Sequence, residues 1–151
     1  MRFFLEFRKK LGGERILINF SSRYPRSFGP IQGIIDTGSP KTIISASDAL
    51  RLNIPFKSLE QGIALRGFGK GGIPTKILKN FKFVIMDEER KLKEFKTDVF
   101  VVDMTTLKNL PRDFTNQCLQ TPTIFGLDIL DKFKMNLFLD FENESFSLET
   151  H

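Results

Sequence analysis

The stretch Ile34-Ile35-Asp36-Thr37-Gly38-Ser39 constrains this chain more than any other. Two β-branched residues end a buried strand, and an acid, a hydroxyl and a glycine then turn the backbone sharply. Glycine permits both the tight turn and a close approach by another backbone. Taken alone, Asp36-Thr37-Gly38 fits an ordinary strand-closing turn as well as it fits a site. Its meaning therefore depends on the rest of the chain.

A chain of 151 residues suits one domain, and an apolar fraction of 40% with 17 Phe is enough for a real core. The formal charge of +5 comes from 23 basic and 18 acidic residues spread along the chain, with no basic arm. A single cysteine, Cys118, excludes an intrachain disulfide and favours a reducing compartment; it reads as an ordinary small residue in a loop. The only histidine is His151 at the last position, which argues against a His-based triad and a His-rich metal site. No run of about 18 apolar residues is present to span a membrane. Met1 to Leu5 is too short and too quickly followed by charge for a signal peptide. These features together point to the cytoplasm, and a chain that starts at Met1 and stops soon after its last hairpin reads as stand-alone.

Phe3, Leu5 and Phe7 alternate with charged residues and predict one half-buried strand. Ile16 to Phe20 predicts its hairpin partner across a turn at Lys10-Leu11-Gly12-Gly13. Ser21 to Pro30, rich in Ser, Pro and Gly, reads as a loop. Ile31 to Ile35 is the strand that delivers Asp36. Thr42 to Ile44 returns as a short strand, with Ser45 or Ser47 capping a short helix that Pro55 ends.

Gly67, Gly69 and Gly72 match a G-x-G-x-x-G spacing, but a phosphate-binding loop should open a helix, and Ile73-Pro74-Thr75 does not. A mobile hairpin tip is the better reading. Phe81 to Ile85 and Phe95 to Val101 alternate as a second hairpin around a charged turn at Asp87 to Lys91. Met104 to Thr121 reads as an irregular loop, unusual at that length unless it has a role, such as shaping a cleft, or carries a short helix. Ile124-Phe125-Gly126 is apolar-apolar-Gly before a short helix. Asn136 to Phe141 and Ser145 to Leu148 form a closing hairpin.

Three motifs occur in order: Ile34 to Ser39, the glycine-rich tract 66–73, and Ile124-Phe125-Gly126-Leu127-Asp128-Ile129-Leu130. In this order the chain resembles the retropepsin-like aspartic proteases over nearly its whole length. The Gly-Leu-Asp-Ile-Leu form is more similar to cellular DNA-damage-inducible-type and retrotransposon proteases than to retroviral ones. Retroviral enzymes usually carry an arginine where Leu127 stands and an acid where Pro40 stands, so a dimer here must be held differently.

The resemblance implies an all-β fold: a closed or partly open acid-protease β-barrel with one or two short helices, as a single domain over residues 1–151. One Asp-Thr-Gly per chain implies a homodimer, with Asp36 from each subunit forming the site across a two-fold axis. The exposed edge at Ser145 to Glu149, or else the strand Phe3 to Phe7, is the expected pairing edge. The implied catalytic residues are Asp36, Thr37 and Gly38. Ser39, Gly67, Phe68, Gly69, Gly71 and Gly72 would bind substrate, the last five as a flap that closes over it. Ile124, Phe125 and Gly126 would brace the catalytic turn. The implied reaction is hydrolysis of a polypeptide by water activated between two carboxyls that share a proton, without metal or cofactor.

Two other readings compete. A peptide-binding module on the same fold could bind without hydrolysing. A basic barrel could bind nucleic acid by stacking bases on Phe. However, Phe3, Phe7, Phe20, Phe81 and Phe83 fall at strand periodicity, which marks core, so neither nucleic acid nor membrane is the expected partner.

Overall fold

Strand periodicity dominates from the first residues. The computed structural model describes residues 1–10, 13–24, 27–65, 72–107, 109 and 111–151. In chain order the elements are β1 (Arg2–Phe4), β2 (Glu6–Lys10), β3 (Gly13–Tyr24), β4 (Ser27–Ile35), β5 (Ile43–Ile44), α1 (Ala46–Arg51) and β6 (Glu60–Gln61). They continue with β7 (Thr75–Met86), β8 (Leu92–Val102), α2 (Met104–Leu107), α3 (Arg112–Gln120), β9 (Thr123–Phe125), α4 (Leu127–Lys132), β10 (Asn136–Asp140) and β11 (Ser145–Glu149).

One sheet runs β2-β3-β4-β9-β5-β8-β7-β6, and β3 also pairs with β7. The extra pairing, Ser21 with Val84 and Ser22 with Phe83, closes the central strands into a barrel. A second sheet has the order β1-β11-β10. This is the expected mainly-β barrel with short helices.

Phenylalanines fill the barrel. Phe83 is fully buried. Its ring lies 5.3 Å from Phe95, 5.5 Å from Phe20 and 6.0 Å from Phe125, stacked on the first and edge-on to the others. Phe3, Phe20 and Phe81 are buried as well. Phe7 is half-buried against Phe141 and Phe146.

Four expectations change. First, Phe3 to Phe7 is two strands. β1 pairs with β11 and β2 with β3, and the chain changes sheets at Leu5, whose amide donates to the Phe146 carbonyl oxygen at 2.9 Å. Second, Ser21 to Pro30 is mostly strand. β3 reaches Tyr24 and β4 starts at Ser27, with Ser21 paired to Pro30. Proline is tolerated there because the pairing of β4 with β9 begins only at Gly33, so among the described residues β4 has no second strand neighbour at Pro30.

Third, the segment 104–121 holds α2 and α3, and Cys118 is buried in α3 against a cluster with Ile43, Ala46, Ile73 and Val102. Burial pushes the Cys118 thiol pKa up, which suits an unreactive packing residue. Fourth, β11 is the middle strand of its sheet, so Ser145 to Glu149 offers no free edge; β1 and β10 are the edges.

Candidate active site

The Asp36 turn is held between two parallel strands. β4 and β9 pair in register, Gly33 with Thr123, Ile34 with Ile124 and Ile35 with Phe125. The ladder then continues one step further, as the Asp36 amide donates to the Phe125 carbonyl oxygen at 3.1 Å. Phe125 is itself fully buried, so the turn hangs directly from the aromatic core.

Within the turn, Asp36 Oδ1 accepts from the Gly38 amide at 2.9 Å, and the Ser39 amide donates to the Asp36 carbonyl oxygen at 3.1 Å. This is the local carboxylate-to-backbone bonding that makes Asp a turn residue. A Cβ on Gly38 would stand 3.1 Å from Asp36 Oδ1, so glycine keeps that approach open. Asp36 is half-buried, Thr37 and Gly38 are exposed, and the Ser39 hydroxyl donates to the Lys41 carbonyl oxygen at 2.7 Å.

Gly126 is held more tightly. A Cβ there would lie 2.5 Å from the Lys41 carbonyl oxygen and 2.9 Å from that of Ser39, so no side chain fits. Its amide donates to Thr42 Oγ1 at 2.9 Å, and the Leu127 amide donates to the Ser39 carbonyl oxygen at 2.9 Å. The Thr42 hydroxyl donates in turn to Asp128 Oδ1 at 2.7 Å, and the Thr42 amide to Asp128 Oδ2 at 3.0 Å.

A parallel set ties β9 to α1. The Thr123 hydroxyl donates to Asp48 Oδ2 at 2.6 Å and accepts from the Ser45 amide at 2.9 Å. Ser45 also caps α1 by accepting from the Asp48 amide. Sequence reasoning missed Thr42, Asp48, Thr123 and Asp128. Thr123 and Asp128 flank Gly126 in the sequence, but nothing local pairs them with Asp48 and Thr42, 75 and 86 residues away.

Ile34, Ile124 and Asp36 line an open groove of about 620 Å³ together with Glu14 and Arg15 from β3, Gln120 at the end of α3, and Thr121 and Pro122. The end of the segment 104–121 therefore does border the groove. Gly67, Phe68, Gly69 and Gly71, expected to form a flap, lie outside the described residues. Gly72 is described, and a Cβ on it would meet Ala64 Cβ at 2.7 Å. Next to it, Leu65 and Ile73 pair as antiparallel neighbours through two hydrogen bonds of 2.8 Å. Strand β7, not a helix, follows this tract. Among the described residues no group of three or more His, Cys, Asp or Glu is placed to hold a metal ion, and no helix is long and apolar enough to cross a membrane.

By sequence, no protein-family model and no curated protein matches the chain. By structure, it superposes on a retropepsin-like aspartic protease from Rickettsia conorii with a TM-score of 0.58 at 16% identity, over 98% of this chain and 88% of that one. It superposes on the EIAV protease in complex with an inhibitor with a TM-score of 0.53 at 20% identity, over 87% of this chain and 99% of that one. The retroviral protease-like domain of Ddi1 from Leishmania major follows at a TM-score of 0.47 and 12% identity, too loose to count toward the fold.

Proposed function

Given its retropepsin-like aspartic protease fold, we propose that the chain is an aspartic endopeptidase. It would act as a homodimer of one-domain subunits, with Asp36 contributed by each. One observation carries this reading. The Asp36 carboxylate is held by the Gly38 amide, and Asp36 lines an open groove of about 620 Å³.

In the proposed reaction the two Asp36 carboxyls share one proton, because like charges this close do not both ionise easily. The carboxylate takes a proton from water as its oxygen attacks the scissile carbonyl carbon, and the protonated partner gives its proton to the carbonyl oxygen. The tetrahedral diol then collapses. The protonated carboxyl gives its proton to the amide nitrogen while the carboxylate takes one from a diol hydroxyl, the C–N bond breaks, and an acid and an amine leave with the shared proton restored. Thr37, exposed beside Asp36, would join the two loops, and Gly38 and Ser39 would meet substrate backbone. The flap, residues 66–73, would lie over an extended peptide bound as an added strand. Ile124, Phe125 and Gly126 would hold the turn still, which a shared-proton carboxyl pair requires.

The second subunit would dock on the β1-β11-β10 sheet. Phe4 is 63% exposed and Phe138 49% exposed, and both flank Ser147 in one cross-strand row. Leu127, 43% exposed, borders a neighbouring surface pocket with Thr37. The buried single thiol fits work in a reducing compartment such as the cytoplasm.

The test is incubation of wild type and Asp36→Asn with a denatured-proteome peptide library from about pH 4 to 7. Cleavage by wild type alone, with a bell-shaped pH profile belonging to the coupled pair, is the expected result. Binding of peptides without turnover would replace the enzyme with a peptide-binding module. Cleavage by both proteins would remove Asp36 from the mechanism.

A further inference from the structure

The strands β3 and β4 pair from Tyr24 with Ser27 as far as Leu17 with Ile34, and there the pairing stops. Two residues beyond that last pair stand Arg15, on β3, and Asp36, just past the end of β4. Both line the groove that opens where the strands part. Arg15 also lines a second groove of about 330 Å³, which shares Ile34, Gln120 and Pro122 with the first. The guanidinium is thus the charged side chain common to both spaces.

Arg15 is exposed and makes no ion pair among the described residues. It donates to the Glu14 carbonyl oxygen at 3.0 Å, which uses one of its five N–H groups. Glu14 also lines the first groove, and its carboxylate is paired with Lys9, Oε1 lying 3.5 Å from Nζ. The shared walls supply apolar surface from Ile34 and Pro122 and an amide from Gln120. A guanidinium with free N–H groups suits a carboxylate held by two parallel hydrogen bonds, and the apolar wall would receive the methylenes that carry that carboxylate.

We propose that this space is a substrate subsite for an acidic side chain, Asp or Glu close to the scissile bond, and that Arg15 is the residue that selects it. The inference rests on the proteolytic reading of Asp36. It makes the preferred substrates acidic peptides with aliphatic neighbours, and assigns Arg15 to specificity, not to the chemical step.

The test uses C-terminally amidated peptides, so that only a side chain can supply the carboxylate. Sets differ by Glu, Gln or Lys at each position flanking the cleaved bond, and kcat/KM is measured for wild type, Arg15→Lys and Arg15→Glu. At one position the wild type should prefer Glu by on the order of tenfold. Arg15→Lys should keep part of that preference, and Arg15→Glu should reverse it in favour of a Lys-containing peptide. Equal rates for Glu and Gln at every position, or an unchanged preference in Arg15→Glu, overturns the proposal while leaving the protease intact.

Failure of proteolysis reads out separately. If no peptide is cut, the same sets are titrated onto wild type and Arg15→Glu by fluorescence anisotropy. Binding that favours Glu and reverses in the variant supports the subsite without the enzyme. Binding without discrimination, or no binding, overturns it.

Discussion

The Asp128 carboxylate grips Thr42 at two points, accepting its hydroxyl at 2.7 Å and its amide at 3.0 Å. Because Thr42 Oγ1 also accepts from the Gly126 amide, one buried hydroxyl joins α4, the start of β5 and the glycine behind the Asp36 turn. Thr42→Val preserves the shape but leaves the Gly126 N–H without its acceptor and takes a donor from Asp128 Oδ1. A cost of about 1–3 kcal/mol is expected, and a fall in Tm of roughly 2–10 °C. Thermal denaturation checks it, and an unchanged Tm would remove the hydroxyl from the account.

Gly126→Ala tests closeness, not bonding. The added methyl would lie 2.5 Å from the Lys41 carbonyl oxygen, and backbone cannot swing away as a flexible side chain can. Overpacking of this kind costs roughly 1–3 kcal/mol. The displaced segment is the one that carries Ser39, so peptide cleavage should fall more steeply than stability does. Parallel measurement of kcat/KM and of the urea midpoint separates the two; equal, small effects would show that the turn tolerates the shift.

Asp87 gives the acid side of the stability profile. Burial opposes its charge, but the amides of Lys91 and Glu89, at 2.8 and 3.0 Å, and the ammonium of Lys93 outweigh it and hold its pKa below the usual carboxylate value. The unfolded chain then binds the proton more readily than the folded one. The stabilisation is therefore fully present above the unfolded pKa and is lost as pH falls through the lower folded pKa. Asp87→Asn keeps an acceptor oxygen but not the charge. Denaturant titrations should find it less stable than wild type at neutral pH, with the gap closing in acid. A gap that stays constant with pH would contradict the assignment.

Phe4→Glu with Phe138→Glu places two carboxylates on the outer face of the β1-β11-β10 sheet. Neither ring is buried, so the subunit should stay folded by circular dichroism. Sedimentation equilibrium should give a monomer, and peptide cleavage should be lost with the dimer. A variant that remains dimeric would move the interface elsewhere.

Much of the barrel was legible because apolar alternation marks its strands and the two motifs around Asp36 and Gly126 are local. The change of sheet at Leu5 was hidden, since Phe3, Leu5 and Phe7 keep their alternation across the break. The strand through Pro30 was masked by turn-forming residues whose pairing is decided by a distant neighbour. Helix α3 carried a readable sign, Phe114 and Cys118 one turn apart, beneath a polar composition. Thr42 with Asp128 and Thr123 with Asp48 could not be read, because each pair is brought together only by the folded barrel, across 86 and 75 residues.

Those long separations bear on timing. The amide of Asp36 finds its partner on β9, and Thr42 finds Asp128 on α4, so the turn that bears the acid has only its own local bonds until β9 and α4 have been made and docked. Pairing of this range places folding in the slow class, about milliseconds to seconds. During synthesis the Asp-Thr-Gly turn comes early and its brace late, so the site cannot be completed before β9 and α4 exist.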